Sequence, residues 1–326
     1  MVSAEKTEDI LKAIDAKFPG FRSNKRWNCP VFAYDSVDEF SRDAIAENGM
    51  HTIYDGGLPI DLHLSVDSGK PLVIFLNARS SERTDSYRLP SFVGFGVVPA
   101  AGVSVLRIND PVLYTSRTLR IGWYAGAAGN PLLYSICQII NKVVDFAKPK
   151  KIIFVGGSAG GFACLNFSRF FKDSLAVVWN PQTDLLKFSK EEVLEFTSSA
   201  FGLTDFEACE RILPALTASS MHKHYVGKAM QNYLLYMQNI DDWHVREHCK
   251  PFLKDTGRVA EDRLVTKRFD ERFFLYAADW GKGHASPPQS FLKNLLKNII
   301  SDEVKFSNLF SEGRMDKILS RAEIEV

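Results

Sequence analysis

Several features that would assign this chain of 326 residues to a particular class of protein are missing from its sequence. The five cysteines are odd in number and scattered, and no two form a Cys-x-x-Cys pair, which argues against a disulfide framework and a structural zinc site. The 40 Lys and Arg residues nearly balance the 39 Asp and Glu residues, so the net charge of +1 creates no general field that would attract nucleic acid. These deficits predict a reducing compartment and no nucleic-acid partner.

Long apolar segments are missing as well. No uninterrupted run approaches the ~18 apolar residues that a membrane helix requires. The N-terminal stretch MVSAEKTEDILKAIDAKF has acidic side chains early and lacks the apolar centre of a secretory signal. The sequence therefore predicts a cytoplasmic protein without a transmembrane segment, and it leaves the oligomeric state open.

What the sequence does contain is a large apolar fraction, 45%, arranged in strand-like and helix-like segments. Apolar and polar residues alternate from residue 51 around Gly-Gly and Ser-Gly breaks, which predicts antiparallel strands. Continuous apolar runs at 71–78 and 103–110 predict strands that are covered on both faces. Helix and strand patterns then alternate from about residue 132, which is typical of a parallel sheet with helical crossovers.

These patterns predict one large α/β domain with additions. Apolar residues at helical spacing predict a helix over 7–17, inside an N-terminal extension of residues 1–70 that also holds the antiparallel strands. The core is expected at 71–300, interrupted around 188–231 by a charged, helical insert that we interpret as a cap. Residues 301–326 are expected to form a C-terminal tail.

The segment 151–171, KIIFVGGSAGGFACLNFSRFF, passes from a strand pattern through a glycine-rich turn into a helix pattern. A phosphate-binding loop fits poorly, because no lysine follows as in a Walker loop and Ser158 stands where a dinucleotide loop needs glycine. Gly156 to Gly160 instead match G-x-S-x-G, the turn that lifts a nucleophile above an α/β-hydrolase sheet. The sequence therefore predicts the α/β-hydrolase fold, a mostly parallel sheet with helices on both faces, with Ser158 as nucleophile. A glycine turn of purely structural use is the alternative.

A serine nucleophile needs a base and an orienting acid, which on this fold follow it in the order acid, then histidine. His284 lies in a glycine-bearing loop after the strand pattern RFFLYAAD, where a base would overhang the carboxyl edge of the sheet. An ordinary surface histidine is the alternative. The acid should follow the preceding strand pattern, NYLLYMQN, and Asp241 and Asp242 stand there side by side, although either could cap the next helix. Asp279 ranks lower because it shares the loop of His284.

The oxyanion formed during ester cleavage needs two backbone N–H donors. Ala159, at the start of the predicted helix, is the first. Ala78 or Arg79, in the loop after the first covered strand, is the second, with Asn77 bracing that loop. Residue types alone do not decide between the two.

Further residues near the predicted turn are candidates for binding substrate. Asn77 and Gly157 are expected to lie beside the nucleophile. The guanidinium groups of Arg79 and Arg83 are candidates for binding an anionic group of the substrate.

Two histidine pairs have spacings that can bind a metal. His244 and His248 are four residues apart in a helical pattern, and His222 and His224 are two apart. No His-Glu-x-x-His sequence and no acidic cluster accompanies them, so we expect solvent-facing or loop-bracing roles and predict no metal site.

Several segments together resemble a known group of proteins. They are INDPVLY, LRIGWYAG, VGGSAGG, WNPQTDL, YMQNIDDWHVREHCKPF and GKGHASPP, spread over residues 71–300. They are similar to bacterial α/β-hydrolase-like proteins linked to surface glycans, which include capsule-associated proteins and accessory secretion proteins for serine-rich adhesins. This resemblance implies a triad of Ser158, Asp242 and His284, and it selects Asp242 over Asp241. It also implies acyl-ester chemistry on carbohydrate, with an O-acetyl group either removed or transferred.

The sequence thus supports two hypotheses from different classes. In the first, the chain is a serine esterase or O-acyltransferase that acts on a small-molecule or glycan ester. It needs no bound cofactor, and acetyl-coenzyme A is the acyl donor if the reaction is a transfer. In the second, the chain keeps the fold as a catalytically silent scaffold that binds a glycan or a protein partner.

Overall fold

A computed structural model describes residues 3–44, 47–81, 83, 87–99, 101–227, 230–301 and 305–324. At its centre is one sheet, whose strands are β1 Val31–Tyr34, β2 Gly49–Ile53, β3 Ile60–Ser65, β4 Leu72–Leu76, β5 Ser104–Ile108, β6 Ile152–Gly157, β7 Leu175–Trp179, β8 Tyr233–Asn239, β9 Lys267–Arg268 and β10 Phe273–Ala278. Their order across the sheet is β1-β2-β3-β5-β4-β6-β7-β8-β10-β9. Strands β3 and β9 run against their neighbours and the other adjacent pairs are parallel, so the predicted mostly parallel sheet is confirmed.

Helices cover both faces of this sheet, as the sequence predicts for the α/β-hydrolase fold. Along β4, Leu72, Ile74 and Leu76 belong to one buried cluster, whereas Val73 and Phe75 belong to another, because successive side chains of a strand point to opposite faces. Coverage on both faces explains why the central strands are continuous apolar runs. The helices are α1 Ala4–Lys17, α2 Val37–Asp43, α3 Leu132–Ala147, α4 Ser158–Ser168, α5 Lys190–Phe201, α6 Phe206–Leu216, α7 Lys250–Asp255, α8 Gln289–Ser301 and α9 Arg314–Ile324.

The helices divide between the two apolar clusters. Side chains of α3 and α4 lie in the cluster that contains Leu72, and side chains of α8 and α9 lie in the cluster that contains Val73. Among the described residues, no helix is both long enough and apolar enough to cross a membrane. All five cysteines are free thiols.

The N-terminal residues contribute strands to the same sheet. Strands β2 and β3 pair antiparallel, as expected, and β3 continues the sheet by pairing with β5. Strand β1, which has four residues and pairs in parallel with β2 at one edge, is not among the predicted strands. A buried ion pair between Arg22 and Asp61, 2.8 Å long, ties the segment before β1 to β3. The division into extension, core, cap and tail stays a prediction.

The segment between β7 and β8 carries the helices α5 and α6. Each begins with a side-chain cap, because Ser189 accepts from the N–H of Glu192 and Asp205 accepts from the N–H of Ala208. Thr217 at the end of α6 donates to the carbonyl of Ala125 at 2.8 Å. This hydrogen bond connects the segment between β7 and β8 to the loop that precedes α3.

Candidate active site

The three residues of the predicted triad follow three parallel strands of the sheet. Ser158 follows β6, Asp242 follows β8 after a short turn, and His284 lies in the loop after β10. Strand β7 lies between β6 and β8, and β10 pairs directly with β8. Because the carboxyl ends of parallel strands meet at the same edge, these side chains share one edge of the sheet.

Ser158 occupies a sharp turn between β6 and α4. Its φ angle is +52°, in the left-handed region that residues other than glycine rarely adopt. Such strain is characteristic of functional turns that lift a side chain out of the sheet. A Cβ on Gly160 would lie 2.4 Å from the carbonyl oxygen of Leu76, so glycine at this position lets α4 approach the loop after β4. The turn between β6 and α4 that carries Ser158, which we call the elbow, is thus in contact with the loop after β4.

Of the three acidic candidates, Asp242 is the one that contacts His284. The Nδ1 atom of His284 donates to Oδ2 of Asp242 at 2.6 Å, and the Asp242 side chain is fully buried. Asp241 instead accepts from the backbone N–H of Gly283, and Asp279 accepts from that of Gly281. A proton on Nδ1 leaves Nε2 of His284 as an unprotonated acceptor in the neutral ring.

The loop that carries His284 is held at several points. The amide nitrogen of Asn239 donates to the carbonyls of Gly281 and Gly283 at 2.8 and 2.7 Å, and its oxygen accepts from the N–H of Trp280 at 3.0 Å. On the other side of His284, Asn180 donates to the carbonyl of Ala285 at 2.7 Å. Both asparagines are buried, so the loop is fixed by the ends of β7 and β8.

Gln182 is a polar neighbour of Ser158 that the sequence analysis missed. Its Nε2 atom donates to Oγ of Ser158 at 3.2 Å, and its Oε1 atom accepts from Nε1 of Trp123. Because the indole nitrogen is purely a donor, it fixes which end of the amide faces the serine. Gln182 is fully buried, and its backbone N–H donates to the Ser158 carbonyl at 3.2 Å. The signal was its place in WNPQTDL, directly after β7.

An unusual pair of left-handed residues positions Trp123. Trp123 and Tyr124 have φ angles of +52° and +56°. The Asp110 carboxyl accepts the N–H of Tyr124 at 3.2 Å and of Val112 at 3.0 Å. Burial raises the pKa of Asp110 to about 7, although N–H groups of Tyr124, Val112 and Gly122 oppose the rise. This turn directs Trp123 toward Gln182.

The same turn orders the loop that the sequence assigns to the oxyanion hole. The Tyr124 hydroxyl accepts the backbone N–H of Asn77 at 2.7 Å and donates to the carbonyl of Ile108. The Asn77 side chain donates to the carbonyl of Ser91 at 2.7 Å, which matches its expected bracing role. Within the described part of the chain, the backbone N–H groups of Ala78 and Arg79 are unpaired. Either N–H is therefore available to a ligand, as is that of Ala159 in the first turn of α4.

The structure gives the remaining substrate-binding candidates other contacts. Arg79 forms an ion pair with Glu192 of α5, which links the loop after β4 to the segment between β7 and β8. Nη1 of Arg83 donates to the carbonyls of residues 113, 116 and 119. At Gly157, an added Cβ would lie 2.2 Å from the indole nitrogen of Trp179, so this glycine faces a ring. The side chains of Arg79 and Arg83 thus have partners within the protein.

The solvent-facing role expected for His244 and His248 is wrong, since both rings are fully buried. Nδ1 of His244 donates to the carbonyl of Asn180 at 2.9 Å, so loop bracing is the role that fits. Its ring packs against that of His284 with centroids 4.3 Å apart. Burial, together with the neighbouring rings of His248 and His284, lowers the pKa of His244 to about 3. Burial likewise lowers the pKa of His248 to about 3, so both rings are neutral at pH 7.

One group in the described residues has the composition of a metal site. Asp242, His244 and His284 each offer a ligand atom, and these atoms lie within 4.8 Å of one another. In this arrangement, however, Nδ1 of His284 donates to Asp242 and Nδ1 of His244 donates to a backbone carbonyl. The distances are those of a hydrogen-bonded pair, so the group fits an acid–base role better than coordination.

The second histidine pair lies apart from this group. His222 contacts Asp255 through Nδ1 at 2.7 Å and the Thr183 hydroxyl through Nε2 at 3.1 Å. His224 lies 3.4 Å from a guanidinium nitrogen of Arg169. The two rings therefore contact different partners.

Comparison with known proteins finds likeness in structure. No protein-family model and no curated protein matches the chain. A mutant capsule O-acetyltransferase of Neisseria meningitidis serogroup A, in complex with CoA, has a TM-score of 0.55 at 12% identity, over 79% of this chain and 98% of that one. Another structure of that capsule O-acetyltransferase has a TM-score of 0.51 at 13% identity. The match covers 75% of this chain and 95% of that one. The Glycosylation Associate Protein (Gap123) complex from Streptococcus agalactiae has a TM-score of 0.50 at 16% identity. The match covers 79% of this chain and 47% of that one.

At such low sequence identity, the similarity to these structures shows a shared fold alone. The resemblance inferred from the sequence segments is thereby confirmed as structural similarity to a capsule O-acetyltransferase and to a glycosylation-associated protein.

Proposed function

We propose that this protein is a serine-dependent acyl-ester hydrolase or O-acyltransferase. Ser158 is the nucleophile, His284 is the general base and Asp242 orients the imidazole. The observation that carries the proposal is the 2.6 Å hydrogen bond from His284 to a fully buried carboxylate, on the sheet edge where Ser158 stands in a strained turn. A buried carboxylate with this partner stabilises the imidazolium that forms when the ring accepts a proton.

The first chemical step forms an acyl-enzyme. The Oγ atom of Ser158 attacks the ester carbonyl carbon while its proton moves to Nε2 of His284. The carbonyl oxygen becomes an oxyanion, which accepts hydrogen bonds from the N–H of Ala159 and from that of Ala78 or Arg79. Collapse of this intermediate breaks the ester C–O bond, and the departing alcohol takes the proton back from His284. With a thioester donor, the C–S bond would break instead and the departing group would be the thiol.

Gln182 assists this step through its hydrogen bond to Oγ. Because the amide already donates to one lone pair of the oxygen, the hydroxyl hydrogen of Ser158 is free to point toward His284. The same donor stabilises negative charge on Oγ while the proton leaves. Trp123 keeps the amide in the orientation that allows this.

The second step decides between hydrolysis and transfer. Water resolves the acyl-enzyme in an esterase, whereas a sugar hydroxyl resolves it in a transferase. The segment between β7 and β8 reaches the loop after β4 through Glu192 and Arg79, so we propose that it controls which acceptor enters. By the sequence resemblance, we propose an acetyl group and a carbohydrate substrate. The scattered, unpaired cysteines support the further proposal of a reducing, cytoplasmic site of action.

Acetyl-coenzyme A is the acyl donor in the transferase form of this proposal. The guanidinium groups of Arg79 and Arg83 are engaged by Glu192 and by backbone carbonyls. Both side chains therefore already have partners within the protein, so they are not free to bind the phosphate groups of coenzyme A. The roles proposed for Ser158, His284 and Asp242 would be the same with this donor as with an ester.

The test is turnover of p-nitrophenyl acetate with and without a carbohydrate acceptor. We expect burst release of p-nitrophenol from the wild type, and loss of turnover in Ser158→Ala and in His284→Ala. Acetylated acceptor in the products would assign transfer, and free acetate alone would assign hydrolysis. Equal rates in the wild type and Ser158→Ala would contradict the proposal and favour the silent scaffold.

A further inference from the structure

A second concave surface lies at the opposite edge of the sheet from Ser158. Its volume is about 990 Å³, and it is lined by residues just before β4, β6, β7 and β10, by the first residue of β8, and by residues around the end of α8. Of the lining residues that the structure describes, six are cationic and one, Asp173, is acidic. The cations are Lys70, Lys150, Lys151, Lys172, Arg272 and Lys305. We call this surface the basic cavity.

Most of the charge in the basic cavity is not neutralised by described residues. Asp173 pairs with Arg272 at 3.1 Å. The side chains of Lys70, Lys150 and Lys172 are exposed, and no acidic group of the described chain lies within 4.0 Å of their ammonium nitrogens. The same holds for Lys305. Four lysines that have no acidic partner among the described residues therefore line one cavity.

This excess does not follow from the composition of the chain. Basic and acidic residues number 40 and 39 overall, yet among the described residues that line this cavity the ratio is six to one. Five of the cations precede strands of the sheet and the sixth, Lys305, follows α8, so the fold brings together segments far apart in sequence. Like charges gathered in this way repel one another unless an anion joins them. The arrangement is that of a binding site for negative charge.

We propose that the basic cavity binds a compact ligand with clustered phosphate groups. Several cations around one space match a ligand with several negative charges better than a single carboxylate, and Lys and Arg both bind phosphate oxygens. A volume of 990 Å³ is that of a small-molecule site. The cavity lies at the opposite sheet edge from Ser158, so this ligand is distinct from the ester substrate and its binding does not require the proposed function.

The probe is inorganic tripolyphosphate, measured by isothermal titration calorimetry at low and at physiological ionic strength. We expect binding with a stoichiometry of one to the full-length protein, weakened by salt because exposed charges are screened. The double substitution Lys70→Gln/Lys172→Gln should weaken binding at least tenfold. The matched control is Lys187→Gln/Lys223→Gln, which removes two exposed lysines elsewhere and should leave binding unchanged.

Several outcomes would overturn the proposal. Absence of binding to the wild type would do so, and so would equal weakening by the two lysine pairs, because it would show diffuse attraction rather than a site. Asp302 and Glu303 follow the lining residue Ser301 in the sequence and lie outside the described residues. If tripolyphosphate bound only after Asp302→Asn/Glu303→Gln, the chain's own acids would be the partners of these lysines.

A lipid surface is the other source of clustered phosphate, and vesicles test it. Retention on phosphatidylglycerol vesicles without binding of tripolyphosphate would replace the compact ligand with a membrane surface. Esterase activity of Lys70→Gln/Lys172→Gln should equal that of the wild type, which also shows that the variant is folded. Tripolyphosphate binding by Ser158→Ala should likewise be intact, so failure of the active-site proposal and failure of this one are separable.

Discussion

The substitution Asp242→Asn probes the hydrogen bond that orders the proposed triad. Both carboxylate oxygens of Asp242 accept hydrogen bonds, Oδ2 from Nδ1 of His284 at 2.6 Å and Oδ1 from the backbone N–H of His244 at 3.0 Å. An asparagine side chain has one acceptor and one donor end, so it satisfies one of these donors at most. The His284 ring adapts more easily than the backbone, because it can move its proton from Nδ1 to Nε2.

The expected loss of catalytic activity follows from this change of tautomer. With the proton on Nε2, His284 has no lone pair to offer the Ser158 hydroxyl. We expect kcat to fall by ~10³–10⁴-fold, the magnitude associated with a wrong histidine tautomer in a serine triad. This corresponds to roughly 4 to 5.5 kcal/mol of transition-state stabilisation. The effect on KM should be small, because Asp242 is buried beneath the histidine and does not face the substrate.

The assay is steady-state hydrolysis of p-nitrophenyl acetate, and Asp241→Asn is the matched control. Asp241 accepts from the N–H of Gly283, an exposed contact, whereas the hydrogen bond from the His284 ring goes to Asp242. Its amide variant should therefore retain activity within about tenfold. If Asp242→Asn were as active as the wild type, or if Asp241→Asn showed the larger loss, our assignment of the acid would be refuted.

Three further results are expected. Substitution Gln182→Leu removes the donor to the serine oxygen, so kcat for p-nitrophenyl acetate should fall about tenfold to a hundredfold, and an unchanged kcat would assign Gln182 a packing role. The pKa values of His244 and His248 are lowered in the folded state to about 3, so the unfolded state binds more protons and the free energy of unfolding should fall as the pH drops from 6.5 toward 3. Urea midpoints at pH 7 and pH 4.5 measure this fall, and a smaller fall is expected in His248→Gln than in the wild type. In Gly160→Ala the new Cβ would meet the Leu76 carbonyl oxygen at 2.4 Å, so urea unfolding should show a loss of about 1–3 kcal/mol, whereas an unchanged midpoint would mean that the elbow and the β4 loop are not packed as described.

The elbow was predictable because its signal is local. The glycines around Ser158 exclude side chains at a turn where backbone segments meet, and the strand and helix patterns on either side fix their context. The same holds for the central strands, whose apolar runs reflect coverage on both faces. Strand β1 is not predicted because four residues at a sheet edge, two half-buried and two buried, carry little periodic signal.

The choice of acid depends on geometry that residue types do not encode. Asp241 and Asp242 both follow β8, and either satisfies the expected chain order. The turn after β8 directs Asp242 to the His284 ring and Asp241 to the backbone of its loop. Local reasoning therefore left both open, and the resemblance selected the residue that contacts the ring.

The place of Gln182 after β7 indicates the correct edge of the sheet, but its contact with Ser158 depends on a distant partner. The indole that orients its amide lies 59 residues earlier in the chain, in a turn with two left-handed residues. Histidine spacing similarly failed to reveal that His244 is buried, since its ring is enclosed by loops from several strand ends. Contacts between remote segments carry the parts of the site that the sequence did not reveal.

Labelling with a fluorophosphonate, followed by peptide mass spectrometry, tests the central claim most directly. An activated serine forms a stable covalent adduct, and our account predicts one adduct per chain, located on Ser158 and absent from Ser158→Ala. Labelling should slow strongly in His284→Ala, because the hydroxyl then lacks its base. A folded wild-type protein that forms no adduct, or forms it on another residue, would contradict the account.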